Sequence, residues 1–290
     1  MASLKEVKGR IASVKSTQKI TSAMKMVASA KLRKAQSRIE KFLPYEHQLT
    51  EILNSFLSAE TDFTTSLAEE RQVNAVAIVA VSSNSSLCGA FNSNVIRLMN
   101  QTLAEYKHLS PDQIYVYAVG KKVEDALNRE GIPVAGVYID LMDNPTFDQA
   151  KSLADMLVDN FLQKKIDKVE LVYNHFKTTA VQVLTREPFL PIALNRNQDK
   201  KASSSVDYIV EPDKMTVLNS LIPKSLRAKI FSVVLDSAAA EQAARMVAMQ
   251  IATDNAADIL DELTILYNKQ RQQAITSELL DIIGGAEALK

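Results

Sequence analysis

Between Lys224 and Ile283 the chain contains neither glycine nor proline. At 1.5 Å rise per residue this predicts one helix of about 60 residues, roughly 90 Å long. Helices in globular domains average about 11 to 12 residues, so a helix of this length has to be a coiled coil, a membrane span or a mechanical strut. Its charges exclude the span. Ala239, Gln242, Met246, Met249, Thr253, Ala256, Leu260, Leu263, Tyr267, Gln270 and Ala274 recur at spacings of three and four, the seam of a left-handed coiled coil. That seam is poor in large aliphatics, and Ala, Thr and Gln permit close approach while burying little apolar area. Something besides the seam must hold the helix.

The opposite end of the chain supplies a partner. From Arg10 to Leu43 there is again neither Gly nor Pro, and Leu4, Val7, Ile11 and Val14 open a second seam that resumes at Ala28, Leu32, Ala35, Ile39 and Phe42. Two long seams at opposite termini suggest an antiparallel pair. Between these stretches Gln18, Thr21 and Lys25 hold the seam positions while Ile20, Ala23, Met24 and Val27 carry the apolar character. The apolar stripe is therefore expected to rotate there and to touch a further neighbour. Pro44 is expected to kink the first helix, because it removes a backbone donor.

Charge follows the same division. The chain is neutral overall, with 34 basic and 34 acidic residues, yet Met1 to Lys41 holds eleven Lys/Arg against Glu6 and Glu40, and Asp236 to Lys290 holds nine acids against four bases. The two helices can attract each other and leave the first with positive charge to offer an acidic partner. Nucleic acid is disfavoured, because the basic stretch has no aromatic before Phe42 on which bases could stack.

The middle of the chain reads as a globular α/β domain. Strands are expected at Val73–Val81, Gln113–Val119, Ile132–Ile139, Lys168–Phe176 and Val181–Leu184, with amphipathic helices at Phe91–Tyr106, Lys121–Glu130 and Asp148–Gln163. The alternation predicts a mainly parallel, Rossmann-like sheet with right-handed crossovers. A polar loop from Asn195 to Ser205 then precedes a strand from Val206 to Val210. The fold class expected is thus α/β, with a long antiparallel coiled coil of the terminal helices plus a central Rossmann-like domain. Its parts are an N-terminal shaft helix at 1–58, a globular domain at 73–192, a loop and strand at 193–212 and a C-terminal shaft helix at 213–290.

Catalytic signals are missing. The turn after the first strand, Ser82 to Asn92, has Gly89 as its one glycine and neither phosphate-binding fingerprint, so no nucleotide cofactor is expected. His47, His108 and His175 lie on three separate elements with no Cys or carboxylate at metal-ligand spacing, and read as surface or capping residues. Cys88 is the one cysteine and reads as a small buried hydrophobe; a dithiol switch would need two. No apolar run approaches the length of a membrane span, and the first seam begins so early that no room is expected for a cleaved targeting peptide.

Three stretches carry a resemblance. Residues 1–36, from Met-Ala-Ser-Leu-Lys-Glu-Val-Lys-Gly-Arg through Lys31-Leu-Arg-Lys-Ala-Gln36, look like the N-terminal helix of the gamma subunits of F-type ATP synthases of bacterial type. Ala244-Arg-Met-Val-Ala-Met249, Leu263 to Gln272, Ala274 to Leu279 and Gly285 to Leu289 resemble that family's C-terminal signature, and Leu87-Cys-Gly-Ala-Phe-Asn92 its middle motif. In one place the chain departs: Asn84-Ser85-Ser86 stands where the family usually has Asp-Arg/Lys-Gly, which loses a charge pair and a turn glycine.

The resemblance implies a rotor shaft without a catalytic site. It would turn inside a ring of alpha and beta subunits, with its globular domain on the membrane c-subunit ring beside the epsilon subunit. Proton or sodium flow would thereby be coupled to ATP synthesis and hydrolysis at the cytoplasmic face of the bacterial inner membrane. No cofactor, metal, nucleic acid or small-molecule substrate is implied. By the same resemblance Lys19, Met24 and Lys25 would face the beta subunits' levers, and Arg271, Gln272 and Thr276 would contact the catch region of the ring. The alternative from residues alone is a coiled-coil adaptor or nucleic-acid-binding protein with an α/β module, although such a free arm would need a richer aliphatic seam.

Overall fold

The computed structural model describes residues 4–59, 65–192, 210–211 and 213–288. The expected loop Asn195–Ser205 and all of the expected strand Val206–Val210 except its last residue lie outside them. The first helix, α1, spans Leu4–Ala59 and the last, Lys214–Ala288. Both are longer than the breaker-free runs in the sequence, because helical structure continues through Pro44 and Pro223. Each proline costs one backbone hydrogen bond, which the surrounding turns and side-chain packing offset.

Between them lie β1 (Val76–Val81), α2 (Phe91–Glu105), β2 (Ile114–Val119), α3 (Lys121–Glu130), β3 (Val134–Val137), α4 (Asp140–Asp143), α5 (Phe147–Leu162), β4 (Lys168–Phe176) and β5 (Gln182–Leu190), with Lys214–Ala288 as α6. The sheet has the order β3-β2-β1-β4-β5, with the first four strands parallel and β5 antiparallel to β4. The Rossmann-like expectation holds. β1 is buried over its whole length because both faces are covered, and this explains its unbroken Val-Ala-Ile-Val-Ala-Val run. One face packs with α2 and α3 around Ile78, Met99, Val116 and Leu127. The other packs around Val79, Leu153, Phe161 and Leu171, with Leu218, Ile222 and Ile230 of α6.

The chain divides into two compact units, 1–29 with 245–290, and 30–244. In the second unit the α/β sheet packs with the adjoining stretches of α1 and α6. In the first, the two helices pair antiparallel: Thr21 and Thr253 place their hydroxyl oxygens 2.8 Å apart. Val7, Thr21 and Ala28 are buried on α1, and Gln18 and Lys25 half-buried. The seam thus runs straight through the polar positions, while Ile20, Met24 and Val27 lie off it on another face of α1, as the shifted apolar stripe predicts. Ile20 and Val27 are each 57% exposed and Met26 65%. The hydroxyl pair lets threonine fill a seam that sequence patterning reads as polar: one hydroxyl donates to the other, and the accepting one keeps its own proton for its helix carbonyl, Gln18 O or Met249 O.

Candidate partner-binding surface

The Thr21–Thr253 contact sets the register of the smaller unit. Counting outward from it in threes and fours brings Leu4 level with Gln270, which is the last half-buried residue of α6. From Arg271 through Ala286 every side chain is exposed. Among the described residues the seam expected to include Ala274 stops one turn short, at the level where α1 begins with Leu4.

Arg271, Gln272 and Thr276 therefore stand where the unit is a single helix. The Thr276 hydroxyl donates to Gln272 O at 2.8 Å, which places the two residues on one face with Arg271 on the flank. Around them, Ile275, Leu279, Leu280, Ile282 and Ile283 are 50 to 67% exposed. Single exposed aliphatics are ordinary, but a helix end that shows five within nine residues marks an interaction surface.

The other predicted residues occupy α1. Lys19 is exposed, while Met24 and Lys25 are half-buried. At about 100° per residue these three lie roughly 100 to 140° apart around the helix, so they do not form one patch. Met24 instead lines up with Ile20 and Val27 on an apolar outer face, which Lys19 flanks. By register Lys19 is level with residue 255, some sixteen residues from Arg271, or roughly 25 Å along the helix. The two predicted groups mark two zones of one long surface.

The crevice of the α/β unit offers a contrast. In sheets of this topology ligands enter outside the carboxyl ends of the strands, where helix N-termini present free amides. Here the loop after β1 uses those amides itself. The N–H groups of Lys121, Lys122 and Val123 donate to Asn84 Oδ1, Ser83 O and Ser82 Oγ, at 3.0, 3.1 and 3.0 Å. Gly120, at φ +95°, permits this approach; a Cβ there would lie 2.1 Å from Ser82 O. Cys88, Phe91 and Phe176 pack in one cluster against Ala240 of α6. Cys88 is buried, as its neighbours suggested, and its Sγ accepts from Asn92 Nδ2.

A buried ionic cluster and a partly exposed hydrogen-bonded pair escaped the sequence. Glu170, 3% exposed in the middle of β4, is held by Arg186 at 2.6 Å, Lys168 at 2.7 Å and the Tyr106 hydroxyl at 2.8 Å. Burial pushes its carboxyl up, but the hydrogen bonds from Arg186, Lys168 and Tyr106 hold it below the usual carboxylate range. His175 Nδ1 meets Asp236 Oδ2 at 2.6 Å, and Asp236 Oδ1 accepts the Phe176 N–H at 3.0 Å. Burial raises Asp236 despite both bonds. Glu170 interrupts an apolar strand, which was the available signal; the Asp236 partner, 61 residues from His175, left none. Among the described residues no group of His, Cys, Asp and Glu could hold a metal ion, and no helix is long and apolar enough to cross a membrane.

A helix pair with a bare apolar end, together with an α/β sheet whose crevice is lined by its own loop, defines an interaction chain. Residues 3–289 match the family described as ATP synthase, and the chain belongs to that family, as a gamma-type, non-catalytic central-stalk subunit. It is 54% identical to the ATP synthase gamma chain of Azobacteroides pseudotrichonymphae over 292 aligned positions, covering all of both chains. It is 55% identical to that of Phocaeicola vulgatus, covering 99% of this chain and all of the relative. Among solved structures it resembles a chain of the central stalk and c-ring of Tetrahymena thermophila mitochondrial ATP synthase. There the TM-score is 0.59 at 28% identity, covering 80% of this chain and 99% of that one. A chain of the Euglena gracilis mitochondrial enzyme shares the fold, with a TM-score of 0.68 at 21% identity over 99% of this chain and 94% of that one.

Proposed function

We propose that this chain turns inside a ring of alpha and beta subunits and couples proton or sodium flow through a membrane c-ring to ATP synthesis and hydrolysis, with an epsilon subunit on its α/β unit. The site is the cytoplasmic face of a bacterial inner membrane. The observation that carries the reading is the end of α6, from Arg271 to Ala286, where aliphatics and polar groups alternate with no other described residue over them. A surface of that kind suits a surrounding bearing. Arg271, Gln272 and Thr276 serve as its breakable polar contacts, and Lys19, Met24 and Lys25 as the points that meet the moving levers. A ring site changes affinity only insofar as the shaft contacts its conformers differently, so an uneven outer surface is what the task requires.

Each neutral hydrogen bond at the catch contributes about 0.5 to 1.5 kcal/mol, and a bond to a charged group up to about 3, small enough to be remade at every step. Replacing Arg271, Gln272 and Thr276 together by Ala leaves the chain folded and nucleotide binding by the ring intact, and lowers coupled ATP synthesis in reconstituted membranes. Equal synthesis by mutant and wild type, at equal assembled enzyme, overturns the assignment of these residues.

A further inference from the structure

Within the larger unit, α6 is gripped from several sides over about two and a half turns. Arg227 Nε bonds Asp155 Oδ1 of α5 at 2.5 Å. One turn on, the Phe231 ring meets Phe42 of α1 at 4.9 Å between centroids and 88°, and Phe147 of α5 at 5.6 Å and 84°, both edge to face. The Ser232 hydroxyl donates to Glu46 of α1 at 2.8 Å, and Asp236 takes both His175 Nδ1 and the Phe176 N–H at the end of β4. At about 100° per residue these four positions spread over roughly half the circumference of the helix. Arg227 and Asp236 lie on opposite sides of it.

Apolar packing is non-directional, so a helix held by it alone can slide and roll. Charge-assisted bonds and edge-to-face rings fix orientation as well as distance. Opposed directional ties within a short length of helix resist rotation about its axis, and a driven shaft needs that resistance where torque enters it. We propose that residues 227–236 of α6 are a torsional clamp that locks the rotational setting of this helix to the α/β sheet. Torque applied to the sheet then enters the helix without slip. Arg227 and Asp236 act as its two positioning residues. The inference rests on the rotor reading above and adds to it the place where rotation is transmitted.

The test uses the assembled enzyme. The end of α6 is fixed to the ring through Ala286→Cys, a bead is attached to the α/β unit through Lys107→Cys, and the angular variance of the bead is recorded. R227Q/D236N should widen that variance about twofold, since the packed interior transmits strain only through the ties left in place, and R227K/D236E should restore much of the stiffness. ATP hydrolysis by the unfixed complex should persist, with the synthesis-to-hydrolysis ratio reduced. Should the double variant not assemble, R227Q and D236N are measured singly, each expected to widen the variance by less. Variance equal to wild type in assembled R227Q/D236N, or in both single variants, overturns the clamp. A wild-type chain that neither joins a ring nor rotates overturns the rotor reading itself, a separate outcome.

Discussion

Asn84 shows how one side chain can line a crevice. Its Oδ1 accepts the Lys121 N–H and its Nδ2 donates to Ile139 O at 3.0 Å. An aspartate, which the resemblance would lead one to expect here, could make the first bond but not the second, so the departure at Asn84 suits the loop it sits in. Glu170 makes the opposite choice, a charge retained in a core. Breaking a buried ion pair by removing one partner costs about 3 to 5 kcal/mol, because the other charge stays buried without compensation. Arg186→Met leaves Glu170 with Lys168 and Tyr106, so it should destabilise the α/β unit by less than that, about 1.5 to 3 kcal/mol in denaturant unfolding. The pH dependence follows from the sign of the shift. Folding lowers the Glu170 pKa, so its contribution is present above the unfolded value, about 4.3, and is lost as pH falls through the lower folded value. Glu170→Gln should flatten the acid limb of the stability curve below about pH 4.3 while leaving its slope near neutrality alone.

At the scale of elements, the two long helices divide their labour along their length. Where α6 packs against the sheet it buries Leu218, Ile222, Ile230 and Val234, the aliphatic face of an ordinary core helix. In the smaller unit its most buried residues are Met249 and Ala256, and past Gln270 it buries nothing. Local opening free energy follows buried apolar contact, so amide exchange in the isolated chain should be slowest in β1 and β4, faster from Met246 to Leu263, and fastest from Arg271 to Ala286. Uniformly slow exchange from Met246 to Leu280 would mean that the helix is stable without its bearing.

For the whole molecule the decisive property is surface left unpaired by design. Lys19, Lys31 and Lys34 are exposed and Lys25 half-buried, in a segment with eleven basic residues and two acids before residue 42. Exposed charges are screened beyond about 8 Å at physiological ionic strength. Changing these four lysines together to Gln should weaken assembly with an alpha/beta ring strongly at low salt and little at high salt, as read by the fraction of complex recovered. A salt dependence equal to wild type would show that the basic face meets no acidic bearing.

The heptad seam, the order of strands and helices and the absence of a phosphate loop were all legible in the sequence, because each is set by spacing along the chain. The closure of the polar seam positions of α1 was not. Periodicity records which residues are apolar, not which of them another chain will cover. Ile20, Met24 and Val27 therefore read as a rotated stripe, while the seam was completed by Thr21 and Thr253 through a hydroxyl pair that exists only once two distant segments lie side by side. The same holds for Asp236 with His175 and for Arg227 with Asp155. Local sequence determined the long helices and most of the sheet, though not α4 or β5 beyond Leu184. Tertiary structure decided which polar groups those elements would bury against one another, because such groups can leave water only where a partner remote in sequence already waits.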